Sequence, residues 1–262
     1  MPPLFVASDI HGHRDEFRAV LRDAGLTDAA GDWSGADTRL WLLGDYFDRG
    51  PDGIGVVDDI RRLTVQAAAA GGQVGALLGN HEVQLLGAYR FGTATIPGWE
   101  TCADGYHGAW LRYGGRERDM LGLTADHLAW LHTLPALALV DGHLLMHCDS
   151  TRYLEFGGSL AEVNKDVASR MAGTDPGAWL WFAGRMSGRA ELSSPAAVRA
   201  LLDAFGGSAI VHGHSTLISY FGYTPETVRA AHRYGEGRVL AIDGGVFEGG
   251  RILLTELGTV RG

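Results

Sequence analysis

The sequence predicts an α/β fold with a largely parallel sheet. Two observations carry that expectation. Between Leu4 and Tyr89 a short apolar strand, a polar loop and a helix-periodic stretch follow one another three times, which is the βαβ pattern. Each of these strands, and two further apolar runs downstream, ends in a loop rich in Asp, His or Asn, at the sheet edge where open α/β folds gather their ligand-binding residues.

Taken in order, Leu4–Ala7 reads as the first strand and ends in Ser8-Asp9-Ile10-His11-Gly12. Arg14–Ala24 has helical spacing, with Phe17, Val20 and Leu21 on one face and Gly25 as its stop. Leu40–Leu43 is the second strand and delivers Gly44-Asp45-Tyr46-Phe47-Asp48-Arg49-Gly50. Pro51 fits the first turn of a helix that runs to Ala70 and stops at Gly71-Gly72. Val74–Leu78 is the third strand, ending in Gly79-Asn80-His81-Glu82, and a helix continues to Tyr89. Residues 91–123 are Gly-rich and aromatic without clear periodicity and read as a long insert over the site; loops of that length usually serve a function. A helix over Thr124–His132 precedes two strands, Ala136–Val140 and His143–Met146, turned by Asp141-Gly142, a strong hairpin signal. The second of these leads to His147-Cys148-Asp149. Residues 150–190 are mixed. A helix over Pro195–Phe205 and a strand over Ala209–Val211 lead to His212-Gly213-His214-Ser215, and Val239–Ile242 and Arg251–Leu257 close the sheet.

The 262 residues show no internal repeat, low-complexity run or linker, so a single domain over 1–262 is expected. The chain is 46% hydrophobic and 20% charged, as in a soluble globular protein. A formal net charge of -9 argues against broad binding to nucleic acid or an anionic membrane. Cys102 and Cys148 are too few for a disulfide framework, and no run approaches about 20 apolar residues. The N-terminus lacks a basic region followed by an apolar one, so no signal peptide is expected and the cytoplasm is the predicted location. Lys165 is the single lysine, and with abundant Ala and Gly this points to high-GC bacterial coding.

The strand ends collect Asp9, His11, Asp45, Asp48, Asn80, His81, His147 and His214. Carboxylate, imidazole and amide oxygen together suit borderline divalent ions such as manganese, iron or zinc, and the lack of sulfur ligands disfavours a closed structural zinc site. Each residue alone has a plain explanation: a lone His at a strand end is usually structural, and Asn80 could cap its helix. The case is joint, because several independent strand ends carry ligand-type residues.

Ser8-Asp9-Ile10-His11-Gly12, Gly44-Asp45-Tyr46-Phe47-Asp48-Arg49-Gly50 and Gly79-Asn80-His81-Glu82 resemble the three signatures GD-x-H-G, GD-x-x-DRG and GNHE of the phosphoprotein phosphatase group within the calcineurin-like metallophosphoesterases, a group that also holds bacterial diadenosine tetraphosphatases. The one departure is Ser8 for the first glycine. The resemblance implies a central β-sandwich of mixed sheets flanked by helices, with the active site at the strand C-terminal ends. It implies two divalent ions, manganese favoured and iron or zinc as alternatives. Asp9, His11 and Asp45 would hold the first; Asp45 would bridge to the second, completed by Asn80, His147 and His214. His81 would be the general acid, oriented by Asp48, and Arg49 would bind phosphate, with Arg185 as the second phosphate-binding arginine and Arg189 behind it.

The implied activity is hydrolysis of phosphate monoesters by direct attack of a hydroxide bridging the ions, with protein phosphoserine or phosphothreonine as the candidate substrate. Symmetrical cleavage of a dinucleoside tetraphosphate is the alternative, and a catalytically silent binding module the third. The usual small residues after the fourth ligand His are here Cys148 and Asp149, which makes the neighbouring wall bulkier and more negative; Cys148 is read as a structural thiol, and His212 as extra to the ligand set.

Overall fold

The structure, a computed structural model, describes residues 1–258 except 97, 100 and 101. The expected domain end at 259–262 and three positions of the 91–123 insert lie outside the described residues. Strand β1 (Leu4–Ala7) leads to helix α1 (Arg14–Asp23), β2 (Arg39–Leu42) to α2 (Gly53–Ala69), and β3 (Gln73–Ala76) to α3 (Asn80–Phe91). β1, β2 and β3 pair in parallel. The last strand, β9 (Thr255–Leu257), adds antiparallel to β1, giving the order β3-β2-β1-β9.

The second sheet has the order β4-β5-β6-β8-β7, from β4 (Leu137–Val140), β5 (His143–Met146), β6 (Ala209–His212), β7 (His232–Tyr234) and β8 (Val239–Ala241). β5, β6 and β8 are parallel to one another; β4 and β7 are antiparallel edges. Both sheets are therefore mixed, and helices flank them. Val6, Leu43 and Leu77 of the first sheet's strands and strand ends meet Ala138, Leu145, Val211, Leu240 and Ile242 of the second in one buried apolar cluster. Arg39 on β2 also holds Asp141 in the β4–β5 turn, 3.0 Å from Nη1 to Oδ1, a charged tie between the sheets.

The local chemistry explains the elements. The β4–β5 turn is the expected two-residue one: Asp141 has φ 48° and Gly142 φ 78°, the pair of positive values that a right-twisted hairpin needs. α1 buries Phe17 and Leu21, places Asp15 and Glu16 in its first turn and Arg22 in its last, and so complements its dipole. Pro51 does not sit in the first turn of α2. The helix starts two residues later, because the Asp52 carboxylate caps it by accepting from Gly55 N. The insert is not irregular throughout: it forms α4 (Gly105–Arg112) and α5 (Glu117–Gly122) before α6 (Ala125–Leu131). Glycine and exposed apolar side chains hide the helical period there. The mixed stretch 150–190 contains α7 (Leu160–Met171) and α8 (Pro176–Arg185), and α9 is Pro195–Phe205 as expected. α10 (Leu217–Phe221) and β7 are too short for periodicity to reveal. The closing strand is shorter than Arg251–Leu257, because only Thr255–Leu257 have β1 partners. No helix among the described residues is long and apolar enough to cross a membrane.

α1 and α2 are locked by Asp59, which is buried on α2 and takes Arg14 and Arg18 from α1. Burial alone would raise the Asp59 carboxyl, but the two guanidiniums hold it far below the usual carboxylate range. A depressed carboxylate stabilises the fold above its unfolded value, and that stabilisation fades as pH falls toward the folded value. Asp59→Asn should lower denaturant stability by about 2 kcal/mol at pH 7. The difference from the parent should shrink as pH drops below about 4; an undiminished difference in acid would contradict this role.

Candidate metal centre

The C-terminal ends of β1, β2, β3, β5 and β6 converge, and each contributes side chains. The convergence requires close backbone approach. Gly44 has φ 107°, and a Cβ there would lie 2.6 Å from Gly79 Cα and 2.9 Å from His147 Nδ1, so only glycine fits. Across this contact Glu82 pins the two loops together. Its carboxylate accepts from Asp45 N (2.9 Å), Tyr46 N (2.8 Å) and Gly79 N (2.9 Å). Burial and the neighbouring Asp45 push the Glu82 carboxyl up to about 7, against the pull of the backbone donors. Both oxygens face N–H groups, so the ionised form is the one this geometry accommodates.

Asp9, His11, Asp45, Asn80, His81, His147 and His214 are brought together and buried. Asp45 lies in their midst: Oδ2 is 3.6 Å from His11 Nε2 and Oδ1 is 3.2 Å from His147 Nε2. His147 Nε2 is also 2.9 Å from Asn80 Oδ1, and its Nδ1 is fixed by Leu43 O at 2.8 Å. His11 Nδ1 is held by Phe47 O. Asp9 accepts from Ser8 Oγ (2.5 Å) and His214 N (2.9 Å), so the serine in the glycine position of the first motif orients a neighbouring carboxylate. Among the described residues, three sets have ligand atoms within 4.8 Å of one another: His11, Asp45 and His81; Asp9, Asp45 and His147; and His147, Cys148 and His214. Among the described residues, six of the ten non-glycine residues with positive φ are Asp9, His11, Asp45, Asp48, Arg49 and His214. Such backbone costs of order 1–3 kcal/mol per residue and concentrates at functional sites.

Burial and close neighbouring charges act on these groups in opposite directions. Burial would raise Asp45, yet His147, His81 and His11 hold it well below the normal carboxylate range. Burial raises Asp9 and lowers His11 and His214. His147 is the exception: burial pushes it down, but Asp45, Asp9 and Glu82 carry it up to about 9. The donor set fits divalent ions on the structure's own terms. His214 Nε2 is buried without a hydrogen-bond partner among the described residues, and a ring nitrogen of His214 lies within 4.8 Å of ligand atoms of His147 and Cys148; an orphaned imidazole nitrogen is a donor that borderline metals accept.

Beside this cluster, His81 Nδ1 meets Asp48 Oδ2 at 2.7 Å. Arg49 Nη1 and Nη2 lie 2.9 Å from His11 Nε2 and 3.1 Å from His81 Nε2. Phe247 supports the Arg49 guanidinium from 3.8 Å below. A cavity of about 330 Å³ opens next to Arg49, Asn80 and His81 and is walled by Trp99, Tyr106, Trp110, Tyr113 and Leu180.

Arg185 is not part of this arrangement. It pairs with Glu155 at 2.6 Å and lies over Trp181, because position 185 falls on the outer face of α8. Arg189, four residues on and past the helix end, lines the cavity and donates to His214 O at 2.8 Å. Cys148 is buried with its thiol on Met186 O, burial raising it, as befits a structural thiol. Asp149 accepts from Ser215 Oγ and Ala190 N. His212 is bonded to Tyr234 OH and Gly213 O.

Sequence reading missed Glu82, Phe247 and Asp119 as parts of the site, and for Trp110, an aromatic of the insert over the site, it missed the bond to Asp48. Glu82 stood in a recognised motif and could have been weighed as a loop pin. The other three contact the centre only through tertiary folding and carry no local signal.

Two sheets with helices outside and a carboxylate–imidazole centre at the strand ends define a metallophosphoesterase. The chain belongs to the calcineurin-like phosphoesterase family, whose sequence profile matches residues 2–216. It is 32% identical over 91 residues to Shewanella-like protein phosphatase 2 of Arabidopsis thaliana, covering 34% of this chain and 23% of that one. It is 28% identical over 144 residues to a symmetrical bis(5'-nucleosyl)-tetraphosphatase of Aromatoleum aromaticum, covering 55% of this chain and 43% of the relative. The chain thus spans less than half the length of these curated relatives. A solved cold-active protein tyrosine phosphatase shares the fold, with a TM-score of 0.70 and 20% identity over 97% of this chain and 73% of that one.

Glu82→Gln would turn an amide NH₂ toward a backbone donor and loosen the contact between the two motif loops. Its expected effect is a loss of about 2 kcal/mol in denaturant stability. Parent-like stability would contradict the pinning role.

Proposed function

We propose that the protein is a dinuclear-metal phosphatase that hydrolyses phosphate monoesters. One observation carries the reading: the Asp45 carboxylate lies between two ligand sets, one oxygen toward His11 and the other toward His147, as a bridging ligand must. Asp9, His11 and Asp45 would hold one ion, and Asp45, Asn80, His147 and His214 the other. Manganese is favoured, with iron or zinc as alternatives for the same donors. Such ions activate water as a nucleophile and draw charge from phosphoryl oxygens.

The chain's own groups do the rest. Arg49 offers planar paired donors to the phosphoryl oxygens, held in place by Phe247. Arg189 replaces Arg185 as the second arginine within reach. With Arg49 turned from His81 Nε2 toward the phosphoryl oxygens, His81 would give an Nε2 proton to the leaving oxygen while Asp48, at Nδ1, fixes the ring and steadies its positive charge. The leaving group would then lie on the His81 side, in the aromatic cavity. That wall suits a phenolic leaving group, such as a phosphorylated tyrosine side chain, better than the short alkyl stems of phosphoserine or phosphothreonine.

The aromatic wall also favours a second reading. Trp99 and Tyr113 could stack a nucleobase, and a curated relative is named a symmetrical bis(5'-nucleosyl)-tetraphosphatase. Product analysis separates the two. With Mn²⁺, phosphotyrosyl peptide should release inorganic phosphate faster than phosphoseryl peptide, and chelation should abolish both. Two ADP from diadenosine tetraphosphate, with the peptides intact, would favour anhydride hydrolysis instead. No Mn²⁺-dependent turnover of any of the three would contradict an enzymatic role. His81→Asn should cut turnover by about 10²–10⁴-fold with the ions still bound; unchanged turnover would remove His81 from the mechanism.

A further inference from the structure

The insert between α3 and α6 reaches the Asp48–Arg49 pair at four points. Trp110 Nε1 donates to both oxygens of the Asp48 carboxylate at 2.9 Å. Asp48 N donates to Asp119 Oδ2 at 3.0 Å, and Asp119 Oδ1 accepts from Gly53 N at 3.2 Å. Arg49 N donates to Gly114 O at 2.8 Å, and Arg116 Nε donates to Arg49 O at 3.0 Å. The pair so gripped has φ 68° and φ 64°, two consecutive non-glycine residues in the left-handed region. Such backbone persists only where its surroundings over-determine it.

We propose that Trp110 is a positioning residue for general-acid catalysis, and that the α4–α5 insert exists in part to hold the Asp48–His81 dyad in line. The inference rests on the reading that His81 protonates the leaving oxygen. Asp48 is fully buried, and among the described residues its two oxygens take side-chain donors from His81 and Trp110 alone. An indole N–H is neutral and donor-only, so it fixes the carboxylate plane without competing for the charge that steadies the imidazolium. Fixing that plane fixes the His81 ring. Trp110 is itself immobilised: its ring is 1% exposed, and a Cβ on Gly115 would come within 2.4 Å of it, so the glycine lets the backbone close over the indole. The same indole walls the cavity proposed for the leaving group. One side chain thus bonds the Asp48 carboxylate and lines the cavity in which the proposed leaving group would receive its proton.

Acid assistance matters most when the leaving group is a poor one, which gives a readout that a merely structural role would not move. Trp110→Phe keeps an aromatic wall and removes the N–H. With Mn²⁺-loaded protein and a series from nitrophenyl through phenyl to alkyl phosphate, we expect kcat on the nitrophenyl ester to fall less than about threefold. On the phenyl and alkyl esters it should fall by about 10²-fold, with KM little changed. An equal loss across the series, or no loss at all, would overturn the proposal. His81→Asn run alongside separates the two levels. If it too loses activity evenly, the acid reading itself fails; if it is selective and Trp110→Phe is not, only the positioning role fails. Should Trp110→Phe not fold, Asp119→Asn, which lies off the cavity wall, should give a weaker form of the same selectivity, and an even loss there would overturn the proposal.

Discussion

A carboxylate buried among imidazoles is the constraint on which the rest of this structure depends. Asp45 is 1% exposed and has no arginine or lysine bonded to it among the described residues. Isolated buried charge is costly, so the fold must bring compensating groups to it. Three imidazoles from three different strand ends do so, which ties the two sheets together at one point. The same arrangement leaves His214 Nε2 without a hydrogen-bond partner among the described residues and Asp9 raised by burial.

The backbone serves that centre at the cost of strain and packing freedom. Left-handed conformations recur at Asp9, His11, Asp45, Asp48, Arg49 and His214. Glycine at 44 permits contact with Gly79, and Glu82 makes that contact rigid by gathering three N–H groups. The insert does the same for the neighbouring pair: Trp110, Gly114, Arg116 and Asp119 hold Asp48 and Arg49 from outside. The Asp45 cluster and the neighbouring Asp48–Arg49 pair are thus stiffened by separate devices, one within the sheets and one from a segment between two helices.

The α/β class, the strand ends and the gathering of ligand-type residues were legible in the sequence, because strand alternation, helix spacing and glycine-bounded loops are local signals. The hairpin at Asp141-Gly142 was legible for the same reason. What failed was either short or non-local. β7 and α10 are too brief to show a period, and α4 and α5 are masked by glycine and exposed apolar side chains. Pro51 was misread by two positions because Asp52 made the stronger cap. Arg185 was chosen for its nearness to Trp181, yet the turn of α8 carries it outward to Glu155, and Arg189 just past the helix end enters the cavity instead. Trp110 and Asp119 bond Asp48 across 62 and 71 residues, a distance over which no pattern in one sequence speaks.

The most direct test of the account is a crystal structure of the protein grown with Mn²⁺, with the ions located by anomalous scattering. The account predicts two peaks about 3.5–4 Å apart. Asp45 should lie between them, His11 on one and His147 with His214 on the other. A single ion, or two ions that do not share Asp45, would contradict the bridging role from which the proposed chemistry is built.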